Sequence, residues 1–292
     1  MCRQVIAMFD AERKEALEYC FTSLPGQSAQ VIAAAAELNQ RAGVERHDLL
    51  VVLGSGFAGV ADQLGEVRVR LPLQTLPGVP APTAEGHGHE LYSIAVDAGT
   101  GPLNVLLAAG RSHLYEGLSP TQVWQFVRIG ALTGVRAAVL TNAGGCLEQW
   151  QMGDLMVIED HLNFTHHSPF VGPVFVDIAR VWDRELQAVL APLANRRGTY
   201  VALPGPEFQT LAESVWLRNS GANMVGMSTV LEAISLHQLG VRVCGLSLVS
   251  DLSFAQTPCT HEDVLAAANA AQPKLVAAIE ALAQYLAAYA CD

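Results

Sequence analysis

A chain of 292 residues with 51% hydrophobic and only 15% charged residues buries a large interior and leaves few charges to cover a monomer. Its net charge of −11 argues against nucleic acid or an anionic membrane as partner. Lys14 and Lys274 are the only lysines and no Gly-Lys-Ser/Thr occurs, so a P-loop is excluded and any phosphate must meet Arg, hydroxyls and backbone amides. The six cysteines (Cys2, Cys20, Cys146, Cys244, Cys259, Cys291) are scattered without a C-x-x-C pair, which fits a reducing compartment. VIAMF is too short for a secretory core, and no apolar run approaches the roughly 20 residues that span a bilayer. The expectation is a cytoplasmic protein.

Residues 1–26 read as a short helical extension ending at Pro25-Gly26, and residues 27–292 as one domain. SAQVIAAAAELNQRAG, from Ser28 to Gly43, predicts a helix with a Ser cap and a Gly stop. DLLVVL (48–53) is a continuous apolar run of the kind expected for a strand buried on both faces. EVRVRL (66–71) alternates like a half-exposed strand, and LYSIAVDA and LNVLLAAG predict two more. The helix PTQVWQFVRIGALTG follows, then strands RAAVLTN and DLMVIED. YVALPG, a helix near Leu231–Leu239 and VRVCGLSLVSD complete the sheet, and the last 30 residues form one helical pattern interrupted by Pro273. Helices alternate with strands throughout, so the fold class is α/β with a mixed central sheet flanked by helices.

Several segments carry residues suited to an anion. Gly54-Ser-Gly-Phe-Ala-Gly59 follows a strand and formally spells G-x-G-x-x-G, but no acidic residue stands near the position a dinucleotide fold requires. The residues alone leave a structural turn or a phosphate-contacting turn. Gly86-His87-Gly88-His89, with Glu85, is a polar loop or an incomplete metal site. Arg111, His113 and Tyr115 alternate after a strand and share one face if the extended conformation continues; Arg and His together suit a dianion. The plainer alternative is an Arg111–Glu116 surface pair with Tyr115 in the core. Thr141-Asn-Ala-Gly-Gly145 follows a strand, and its small residues let a ligand approach the backbone closely; a plain turn is the alternative. The arc from Gly205 to Thr229 runs from a Gly-Pro turn through a helix to a second turn, where Ser228 and Thr229 offer hydroxyls and backbone N–H groups.

Taken in order, GSG, GRSHLYEG, TNAGG, GPEFQT and MVGMST resemble the trimeric purine nucleoside phosphorylase family over about residues 27–289. The resemblance implies a phosphorylase-like α/β domain, a homotrimer, and purine nucleoside and inorganic phosphate as substrates, with no metal and no cofactor. It assigns Ser55, His87, Arg111, His113, Ala143 and Ser228 to phosphate, and Tyr115, Met227 and His261 to ribose. Ala143, Gly145, Phe208, Gln209 and Asp251 fall to the base, His113 and Asp251 to catalysis, and Glu232 to a structural role. Ala58 stands where the family has glycine. Phe170 or Phe175 is implied as the aromatic that closes a neighbouring subunit's ribose pocket.

The base pocket departs from the pattern. Typical 6-oxopurine members carry Glu and Asn where this chain has Gln209 and Asp251, and Glu207 lies two residues before Gln209. An ionised Asp only accepts hydrogen bonds and so suits a 6-amino group or a protonated N7. A Gln amide both donates and accepts, which suits N1 of adenine or the N1–H and C2 carbonyl edge of xanthine. Guanosine and inosine are therefore disfavoured. A methylthioadenosine phosphorylase, with Asp at this place, is the alternative within the resemblance. A nucleosidase and a non-catalytic nucleoside-binding protein are the alternatives outside it, and neither needs Ser55, Arg111, His113 and Ser228 together.

Overall fold

The computed structural model describes residues 25–81, 83, 88–255 and 260–288, with backbone alone at 25–28 and 261. Most of the expected extension, His87 and the His261 side chain therefore lie outside the described residues. In chain order the regular elements are α1 (Pro25–Ala42), β1 (Leu49–Val52), β2 (Glu66–Pro72), β3 (Glu90–Asp97), β4 (Pro102–Ala108) and α2 (Pro120–Leu132). Then come β5 (Ala137–Cys146), β6 (Leu155–Asn163), α3 (Arg184–Leu190), β7 (Arg196–Ala202) and α4 (Leu211–Asn219). β8 (Met224–Gly226), α5 (Val230–Gln238), β9 (Arg242–Leu252) and α6 (His261–Ala288) complete the order. Helix α1 begins at Pro25, ahead of the expected Ser28 cap, and α6 continues through Pro273.

The strands form one mixed sheet in the order β2-β3-β4-β1-β5-β8-β7-β6-β9, and β9 also pairs with β5. The last five strands therefore close into a ring, with β5–β8 and β6–β9 antiparallel and the other three pairs parallel. Strand β1, buried at all four positions, shows why a continuous apolar run was needed. Leu50 and Val52 join the cluster under α1, α2 and α5, while Leu49 and Val51 join the cluster under α3 and α6. Burying each such side chain contributes about 1.5–3 kcal/mol.

Two local features aim side chains at one end of the ring. Gly54 lies so close to β5 that a Cβ there would sit 2.9 Å from the Asn142 Cα. Between β5 and β9 the register shifts: Gly144 faces Val249 but Gly145 faces Asp251, so Ser250 is an extra residue. The Ser250 hydroxyl donates to the Gly144 carbonyl, 3.3 Å away. Such a bulge re-aims the side chains that follow it.

Candidate active site

The C-terminal ends of β1, β5 and β9, the segment after β4 and the turn before α5 surround a cavity of about 640 Å³. Its lining includes Ser55, Arg111, His113, Tyr115, Ala143, Gly145, Phe208, Gln209, Met227, Ser228 and Asp251. These are all the candidate residues whose side chains or backbone the structure describes, apart from His261. That residue opens α6, and its neighbours Thr260 and Val264 line the cavity.

At one end stands Arg111, whose side chain is 2% exposed. Its Nε donates to Glu232 Oε1 at 3.1 Å and its second guanidinium nitrogen lies 3.0 Å from Oε2. The remaining arm donates to the Thr141 carbonyl. The Arg111–Glu116 pair considered above does not form. Glu116 instead accepts from the His113 backbone N–H at 2.6 Å and lies 3.2 Å from His113 Nδ1. Burial works against the Glu116 carboxylate, but hydrogen bonds from His113 and Thr83 outweigh it and hold its pKa at about 2. With Nδ1 donating to that carboxylate, the ring is held in one orientation beside the cavity.

The chain stays extended only through His113, and a short turn over Leu114–Glu116 brings Tyr115 round to stack on the His113 ring. The centroids are 4.6 Å apart and the planes 15° from parallel. Burial, and then the neighbouring Glu116 charge, push the Tyr115 hydroxyl up to about 12, so it stays neutral.

TNAGG is strand rather than turn: β5 runs to Cys146, with β9 alongside it to the end and β8 pairing at Gly145 and Cys146. The absent Cβ of Gly144 admits the Val225 carbonyl, which would lie 2.7 Å from it. Ser228 and Thr229 form a strained turn at the start of α5. Thr229 has φ +73° and ψ −46°, and the Val230 N–H donates back to the Ser228 carbonyl at 2.8 Å. A γ-turn of this hand in a β-branched residue persists only where its surroundings impose it. The Ser228 N–H donates to the hydroxyl of fully buried Tyr200 at 3.5 Å. A Cβ at Gly226 would meet that hydroxyl at 2.2 Å.

At the other end Gln209 Nε2 donates to Ser253 Oγ at 2.9 Å. Burial pushes the Asp251 carboxyl above the usual carboxylate range, opposed in part by the Leu252 N–H. Glu207 is exposed and is not among the lining residues. Phe170 packs edge-on against Trp124 in the core, 6.4 Å between centroids, whereas Phe175 is 92% exposed. Sequence reasoning gave no role to Asn142, Tyr200 or Ser253. Of these, Ser253 alone carried a local signal, two residues after Asp251, in the turn that ends β9. Among the described residues, no group of three His, Cys, Asp or Glu side chains is arranged to hold a metal.

The model of the phosphorylase superfamily matches residues 48–284. The chain is 40% identical to a purine nucleoside phosphorylase of Cellulomonas sp over 86% of its length and 92% of the relative's. It is 34% identical to the Bos taurus purine nucleoside phosphorylase, over 79% and 86%. A crystal structure of Schistosoma mansoni purine nucleoside phosphorylase in complex with adenosine superposes with a TM-score of 0.76. That pair shares 26% identity over 87% of this chain and 96% of the other. The match in sequence and in fold is near full length in both directions, and the chain belongs to the phosphorylase superfamily, within its purine nucleoside phosphorylases.

Proposed function

We propose that this chain catalyses phosphorolysis of a purine nucleoside, giving free base and ribose or deoxyribose 1-phosphate. One observation carries the reading: a single cavity has Ser55, Arg111, His113 and Ser228 at one end and Gln209 and Asp251 at the other, with Tyr115 and Met227 also in its lining. An oxygen of inorganic phosphate attacks C1′ of the sugar while the C1′–N9 bond breaks and its electron pair passes to the purine. The transition state resembles an oxocarbenium ion beside an anion, so the main tasks are holding phosphate under the ring and receiving charge on the base. Asp251 takes the second task, donating to N7 when neutral or accepting from a protonated N7. Inorganic phosphate is a co-substrate, and neither metal nor organic cofactor enters these steps.

The base end favours a 6-amino purine, because ionised Asp251 repels O6 and accepts from an amino group. We place the enzyme in the cytoplasm as a homotrimer in which exposed Phe175 reaches a neighbouring subunit's sugar. Among the described residues no helix is long and apolar enough to cross a membrane. Base release from adenosine, inosine, guanosine and xanthosine, with and without phosphate, tests the reaction: equal release without phosphate or arsenate would refute it. Light scattering at a mass near the 31.1 kDa of one chain would refute the trimer.

A further inference from the structure

A buried chain of polar side chains runs from β9 through β5 to the turn before α5. The Ser247 hydroxyl donates to Asn142 Oδ1 at 2.6 Å, and Asn142 Nδ2 donates to Thr229 Oγ1 at 3.0 Å. Thr229 Oγ1 lies 3.0 Å from Ser228 Oγ. Ser247, Asn142 and Thr229 are each at most 2% exposed. The two distances match the ordinary lengths of O–H···O and N–H···O bonds and agree with this sense of the Asn142 amide. Among the described groups within reach of Thr229 Oγ1, the Asn142 amide nitrogen can only donate, so the acceptor for the Thr229 hydrogen is Ser228 Oγ. Ser228 then has its hydroxyl hydrogen left for the cavity.

We propose that Asn142 and Thr229 are positioning residues which, through this directional chain, set Ser228 as a hydrogen-bond donor to the phosphate. The inference rests on the phosphorolysis reading. It also accounts for the backbone at Thr229: the strained turn puts the Thr229 hydroxyl within reach of both Asn142 and Ser228. A hydroxyl aimed in advance loses no rotational freedom when the anion arrives and is never turned towards it as an acceptor.

The test is calorimetric titration of inorganic phosphate into the protein alone, together with separate KM values for phosphate and nucleoside. Thr229→Val keeps the shape and removes the relay hydroxyl. It should weaken phosphate binding roughly five- to tenfold and leave nucleoside KM within about twofold, while Thr229→Ser restores binding. Asn142→Asp reverses the chain, because a carboxylate takes the Thr229 hydrogen and Ser228 must then donate to Thr229. Its phosphate affinity should fall further than that of Thr229→Val, and this variant carries the test if Thr229→Val does not fold. Parent-like phosphate binding in Thr229→Val or Asn142→Asp overturns the inference while leaving phosphorolysis in place. No phosphate binding by the parent protein would overturn both.

Discussion

The two ends of the cavity are built differently. At the Arg111 end the polar side chains are interior groups that hold one another: Arg111 with Glu232, His113 with Glu116, Asn142 with Thr229 and Ser247. At the Gln209 end, Phe208 is 79% exposed, Gln209 sits in a loop with one described side-chain bond to Ser253, and Asp251 is half-buried. Buried charge is tolerated only when paired, so neither Arg111 nor Glu232 can be changed alone without cost to the fold. Residues at the second end can. The cavity therefore combines a fixed, internally paired end with a more adaptable one.

The largest effect should come from withholding phosphate from the first end. Base release should fall by orders of magnitude, measured by chromatography of free purine in phosphate-depleted buffer; an undiminished rate would dissolve the comparison altogether. Next comes Arg111→Ala. It leaves Glu232 buried without its partner, which typically costs about 3–5 kcal/mol of stability. It should also raise phosphate KM roughly tenfold or more, because a charged hydrogen bond is worth about 1.5–3 kcal/mol. Pairing it with Glu232→Gln should recover stability in thermal melts but not the phosphate KM.

A smaller change is expected at the Gln209 end. Gln209→Glu with Asp251→Asn should raise guanosine and inosine turnover relative to adenosine by roughly tenfold or more, as one opposed hydrogen bond in a closed pocket can discriminate strongly. Its melting temperature should stay near the parent's. A collapse there would show that the base end is as interdependent as the phosphate end.

The smallest effect concerns the Asp251 charge. Burial raises its folded pKa, so the native state binds the proton more tightly than the unfolded chain. Above the folded pKa the carboxylate then lowers stability, and that penalty fades as pH falls through the folded value. Asp251→Asn should be slightly more stable than the parent at neutral pH and converge with it on acidification, followed by thermal melts from about pH 8 to pH 4. A variant less stable than the parent at neutral pH would contradict the burial argument.

Much of the scaffold was legible because it is local. The runs at Leu49–Val52 and Val105–Ala108 are apolar on successive residues, which is what burial on both faces of a sheet demands. The candidate residues follow such strands by a few positions, which is why their motifs pointed to one place. What escaped was nonlocal. Three-residue β8 is too short to show a period, and TNAGG looked like a turn because its glycines serve close strand approach rather than reversal. Ring closure through β6 and β9, and the bonds from Asn142 to Ser247 and Thr229, join residues about a hundred positions apart. No local pattern reports them.

The one-residue offset at Ser250 has a consequence for how such a site can diversify. Strand alternation is binary, so a single insertion or deletion there would re-aim Asp251 relative to the cavity that it lines. The upstream pairing of β9 with β5, from Arg242 to Val249, would be untouched. Length variation at this position is therefore a way to change this wall of the cavity in one step while the rest of the sheet keeps its register.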